Sequence, residues 1–130
     1  MASLTTEEIV ALALKEDLGD GDHTSLATIS AESRGKARLI IKDNGILCGL
    51  PVAGTVFRLV DPDLVPEYFC KDGDRVEKGM IAMTVEGRIR SILAAERTVL
   101  NFMQRLSGIA TYTNRLVQEV RGTKARLLDT

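Results

Sequence analysis

Between residues 94 and 111 the chain reads AAERTVLNFMQRLSGIAT, and its apolar positions recur at helical intervals. Ile92, Val99, Phe102, Met103 and Leu106 mark one face of a helix, while Arg97, Asn101, Gln104 and Arg105 fall within about 100° of one another at 3.6 residues per turn. The forked guanidiniums of Arg97 and Arg105, two turns apart and separated by two amides, suit carboxylate or phosphate oxygens. Periodicity alone is equally consistent with a solvated or intersubunit face. Ser107 has the residue type of a helix cap, and Ile109, Thr113, Leu116, Val117 and Val120 then share a face up to Gly122. A new helix is predicted to start there. Lys124–Thr130 follows as a strand without a successor, and helix followed by strand opens a repeating α/β layout whose strands need parallel neighbours. The division expected from this pattern is residues 1–106 and 107–130, joined directly because no Pro/Ser-rich linker or repeat occurs between them.

Upstream, Thr5-Thr6-Glu7-Glu8 has the spacing of a capping box, and Val10, Ala13, Leu14 and Leu18 continue at helical intervals to Gly19. Lys36–Lys42 alternates, with Ala37, Leu39 and Ile41 against Lys36, Arg38 and Lys42. The turn signal Asp43-Asn44-Gly45 then predicts a hairpin into Ile46–Cys48, its residues supplying positive φ. Pro51 opens a helix in which Val52, Val56 and Val60 form a stripe, and Asp61-Pro62-Asp63 stops it. Short strands are expected at Glu67–Cys70, Met80–Val85 and Arg88–Ile92, in a bent antiparallel sheet.

Composition fits one ordinary globular domain: of 130 residues, 45% are hydrophobic and 27% charged, which excludes a disordered chain. No apolar run reaches the roughly 18 to 20 residues of a bilayer span, and the N-terminus lacks the features of an export signal, so a soluble, cytoplasmic protein without a membrane partner is expected. Cys48, Cys70 and the only histidine, His23, are too scattered for a disulfide framework or a Cys/His zinc site. Residues 1–85 hold 9 basic and 14 acidic groups against 8 and 4 in 86–130, which makes the last third cationic. With three Phe, two Tyr and no Trp to stack bases, a small anionic ligand is a better match to that charge than a nucleic acid.

Other segments carry weaker signals. Asp17–Thr24 gathers three carboxylates and His23, but the pattern does not match a calcium loop, and Asp and Gly favour helix-end turns on local grounds. Leu39-Ile-Ile-Lys-Asp43 resembles the strand-plus-acid motif of phosphoribosyl-diphosphate enzymes. Asn44 stands where the second acid is needed, and no Gly-rich phosphate loop occurs. Gly73-Asp-Arg-Val76, Gly79 and Thr84–Gly87 resemble the hairpin of lipoyl and biotinyl carrier domains, yet no lysine lies between Lys78 and Lys124 to accept the group.

The segments AERTVLNFMQRLSGIAT, ALKEDLGDGDHTS, ILCGLPVAGTVF, GDRVEKG and ARLLDT together resemble, in order and spacing, the quinolinate phosphoribosyltransferase (nicotinate-nucleotide pyrophosphorylase) family. That resemblance implies an α+β chain: an N-terminal α/β sandwich, barrel-sandwich-like, followed by the first helix and strand of a truncated α/β barrel. It implies a pentosyltransferase of NAD biosynthesis joining quinolinate to 5-phosphoribosyl 1-diphosphate, with nicotinate mononucleotide, pyrophosphate and CO2 as products and Mg2+ assisting. In the family the arginine matching Arg97 reaches into the partner subunit's barrel and binds quinolinate carboxylate. Thr130 would begin the segment that grips the substrates. A homodimer or higher homo-oligomer is expected, and the 130 residues alone are expected to be inactive. The alternative from another class is a non-enzymatic barrel-sandwich module for assembly or ligand binding.

Overall fold

The computed structural model describes residues 3–19 and 29–123. Its elements run α1 (Thr6–Gly19), β1 (Arg34–Ile40), β2 (Gly45–Ile46), α2 (Leu50–Val60), β3 (Val65–Tyr68), β4 (Arg75–Val76), β5 (Ile81–Arg88) and α3 (Ile89–Thr123). The α+β class read from the sequence is the class observed, and all strand pairing is antiparallel.

Helix α1 starts where the capping spacing puts it. The Glu8 N–H donates to Thr5 Oγ1 at 3.1 Å, and the Thr5 hydroxyl donates to Glu8 Oε1 at 3.1 Å. Val10 and Leu14 enter the core. The helix is tied down at both ends, by an Arg58–Glu7 ion pair at 2.6 Å and by the Thr98 hydroxyl donating to Asp17 Oδ2 at 2.5 Å.

Strand β5 is the centre of the larger sheet, in the order β1-β5-β3, while β2 and β4 form a separate two-stranded ladder. The predicted hairpin of residues 36–48 is therefore replaced by non-local pairing. β1 runs against β5 from Arg34↔Arg88 to Ile40↔Ile81, and β2 pairs with β4. The physical reason is burial. Ala82, Met83, Thr84 and Val85 are all buried and need neighbours on both sides, and β1 supplies a longer ladder there than Ile46–Cys48 could offer. The turn at 43–45 instead carries the chain from one sheet to the other, and the Lys78 N–H donates to Asn44 Oδ1 at 2.8 Å to fix it.

Helix α2 begins with Pro51 in its first turn and packs Leu50, Ala53, Val56 and Phe57 inward. Strand β3 starts earlier than expected, at Val65, and the strand predicted over Arg88–Ile92 is absent, because β5 ends at Arg88 and Ile89 is already helical. The break predicted at Ser107 is also absent: α3 runs without interruption for 35 residues. Ala95, Val99 and Met103 of α3 complete a core with α1, α2 and β5. The strand expected at Lys124–Leu128 lies outside the described residues.

Candidate functional site

Three separate motifs meet at one point beside α3. Helix α2 lacks a side-chain cap of its own, since Gly49 stands at that position with φ 112°. The cap comes from the 71–74 turn. Asp72 accepts the Leu50 N–H at 2.9 Å and the Gly49 N–H at 3.1 Å on its carboxylate, which sits at the positive end of α2. Gly49 is required twice over: its positive φ disfavours a side chain, and a Cβ would stand 3.1 Å from Met103 Sδ of α3.

From the other side α3 grips the same strand segment with two hydroxyls one turn apart. The Ser107 hydroxyl accepts the Cys48 N–H and donates to the Cys48 carbonyl, both at 3.0 Å. Thr111 Oγ1 accepts the Ile46 N–H at 2.9 Å and donates to the Ser107 carbonyl at 2.7 Å. Gly45 makes this approach possible, because a Cβ there would lie 2.6 Å from Thr111 Oγ1. It is not among the positive-φ glycines, so the conformational role expected for the 43–45 turn gives way to a steric one. Burial, and then the nearby Asp72 carboxylate, push the Cys48 thiol above its ordinary pKa, which leaves it protonated and a poor nucleophile.

Arg97, the residue singled out from the sequence, lies on the opposite kind of surface. Its neighbour Thr98 is 1% exposed and Val99 3%, while Arg97, Asn101, Gln104 and Arg105 are all exposed on the outer face of α3. The predicted polar stripe is thus observed as a stripe, and among the described residues none of its four members is in an ion pair. The Asp17–Thr98 hydrogen bond fixes the helix directly beside Arg97. Thr130 and most of the acidic 17–24 segment lie outside the described residues.

Sequence reading missed Asp72, Ser107 and Thr111. Asp72 stands in a Lys-Asp-Gly-Asp run with the composition of an ordinary turn, and Ser107 has the residue type of a cap for its own helix. Their partners are 22 to 65 residues away, so no local pattern announces them. For magnesium the described residues offer no fit: no three His, Cys, Asp or Glu side chains among them come together.

Residues 22–107 match the family described as quinolinate phosphoribosyl transferase, N-terminal domain. The chain belongs to that family. It is 48% identical over 106 residues to quinolinate phosphoribosyltransferase [decarboxylating] 1b of Nicotiana tabacum, an alignment covering 81% of this chain and 30% of that protein. The chloroplastic nicotinate-nucleotide pyrophosphorylase of Oryza sativa is 48% identical over the same length, with 29% of it covered. Among solved structures, NadC from Streptococcus pyogenes superposes with a TM-score of 0.83 at 35% identity, over 91% of this chain and 43% of that one. The chain thus spans about 30% of the length of these curated relatives. The matched residues include ILCGLP, whose backbone Ser107 grips, KDGD, which caps α2, and Ser107 itself, while Thr111 lies just beyond them.

Proposed function

We propose that this chain furnishes the N-terminal domain of a quinolinate phosphoribosyltransferase, which converts quinolinate and 5-phosphoribosyl 1-diphosphate to nicotinate mononucleotide, pyrophosphate and CO2. In this reading residues 1–106 form the N-terminal unit and 107–130 lead into the barrel. Arg97 and Thr130 are the substrate-binding residues, the enzyme is a cytoplasmic homodimer, and magnesium accompanies the phosphoribosyl diphosphate with ligands from elsewhere in the protein. No helix among the described residues is long and apolar enough to cross a membrane. Two relatives bear the names chloroplastic and mitochondrial, so compartment varies within the family.

The observation that carries the reading is the direction of Arg97. Its helix is anchored through Thr98 and Val99, and the guanidinium on the exposed side has no ion-pair partner among the described residues. Such a group is available to a second body, and its planar fork fits a carboxylate with two parallel hydrogen bonds. The reaction brings a dicarboxylate and a diphosphate into one site, so cations that desolvate with the substrates are what catalysis needs most. In the full-length enzyme, Arg97→Ala is expected to lower kcat/KM for quinolinate by the equivalent of about 2 to 5 kcal/mol, the range for deleting one partner of a buried charge pair. Arg97→Lys should recover little of it, because an ammonium cannot reproduce the fork. Steady-state kinetics with quinolinate varied at saturating phosphoribosyl diphosphate check this, and wild-type kcat/KM in Arg97→Ala would remove Arg97 from the site.

A further inference from the structure

We propose that the groove between the 42–46 segment and the second half of α3 binds a small phosphate-bearing anion through Lys42, Lys78 and Arg115. The groove has a volume of about 1110 Å³, and these three cations line it together with Arg38 and a single carboxylate, Asp43. They come from three different parts of the chain, and the hydrogen bonds already described join those segments. Asn44 fixes the backbone of Lys78 against the 42–45 turn, at 2.8 Å. Thr111 fixes the same turn against α3, through the Ile46 N–H at 2.9 Å, and Arg115 is the next residue on that helical face, one turn on.

Like charges held in this way repel one another unless something neutralises them. Among the described residues the one ion pair joins Arg58 to Glu7, so none of the three has a carboxylate partner within salt-bridge distance. Two ammonium groups act as point charges that suit phosphate oxygens, and the guanidinium adds a forked donor. The floor is apolar, with Leu39, Leu100 and Met103, which lowers the local dielectric and strengthens attraction to an anion seated against it. One aromatic side chain, Tyr112, lines the groove, so a run of stacked nucleobases has no platform and a small molecule is the better occupant.

The inference does not depend on the role of Arg97. Arg115 is 18 residues further along α3 and so about 27 Å away along the axis, at 1.5 Å per residue. One anion of this size cannot touch both.

The test is a 1H–15N NMR titration of the chain with sodium diphosphate, and separately with citrate, at constant ionic strength. The expected result is saturable shifts at the amides of Asp43, Asn44, Gly45, Lys78 and Thr111–Arg115, with affinity for diphosphate at least about tenfold above that for citrate. The double variant Lys42→Ala/Lys78→Ala should weaken diphosphate by at least about tenfold, and Arg115→Gln by a similar factor, as expected for loss of charge-assisted hydrogen bonds. Arg121→Ala, on another face of the last turn of α3, should leave it unchanged. All variants are at exposed positions, and their spectra report folding directly. Shifts that do not saturate, that respond equally to citrate, or that survive in the folded double variant would overturn the proposal.

Discussion

At the scale of single residues, two aspartates hold backbone rather than substrate. Asp72 replaces the cap that α2 lacks, so Asp72→Ala should destabilise the fold by about 1 to 2 kcal/mol in urea unfolding, and Asp72→Asn by less, because the amide oxygen still accepts one N–H. Equal losses for the two variants would mean that the acceptor is not what matters. Asp61 stands at the C-terminus of α2 and is largely buried. The Ser91 hydroxyl at 2.7 Å, then the Asp63 N–H at 3.0 Å, hold its carboxyl below the ordinary value, with Arg88 and Arg34 adding attraction against the cost of burial. A carboxyl whose folded value lies below its unfolded value of about 3.9 contributes stability at higher pH and loses it as pH falls through the folded value. The gap in unfolding free energy between the wild type and Asp61→Asn should therefore shrink between pH 5 and pH 2.5. A constant gap across that range would contradict the assignment.

At the scale of elements, what the sequence revealed and what it concealed divide by range. Thr5 and Glu8 announce α1, Pro51 announces α2, and the spacing of Val99 and Met103 announces the buried face of α3, because each signal acts within one or two helical turns. The pairing of β1 with β5 was concealed, since Asp43-Asn44-Gly45 favours a local hairpin and the competing ladder lies more than forty residues downstream. Ser107-Gly108 misled for a related reason. Serine and glycine are helix boundary signals, yet here Ser107 directs its hydroxyl at Cys48 and the helix continues. The exposed outward direction of Arg97 was legible from periodicity, whereas the Ser107 and Thr111 contacts that fix α3 against the 46–48 segment, and the Asp72 contacts that cap α2, were not. Helix continuity has its own test. Gly108 is exposed within α3, and an added Cβ would meet nothing within 4 Å. Gly108→Ala should stabilise the protein by about 0.5 to 1 kcal/mol, the propensity difference in an exposed helix interior. A destabilised variant would place a junction between two helices at this point after all.

At the scale of the whole molecule, a core shared by α1, α2, α3 and β5 presents one helix face to the outside, and among the described residues its cations Arg97 and Arg105 are in no ion pair. No described residue forms an ion pair with Arg97, which is why its role is sought in a second subunit. The most direct measurement mixes two forms of the proposed full-length enzyme that are each expected to be inactive: one carries Arg97→Ala, and the other is disabled in the substrate-gripping segment expected to begin at Thr130. Under two-fold symmetry each mixed dimer then contains one site with both halves intact. With equal amounts and random re-pairing, half the dimers are mixed and half of their sites are competent, so activity should recover to about a quarter of wild type. Heterodimers shown by native mass spectrometry to have formed, yet as inactive as either parent, would contradict an Arg97 that acts across the interface.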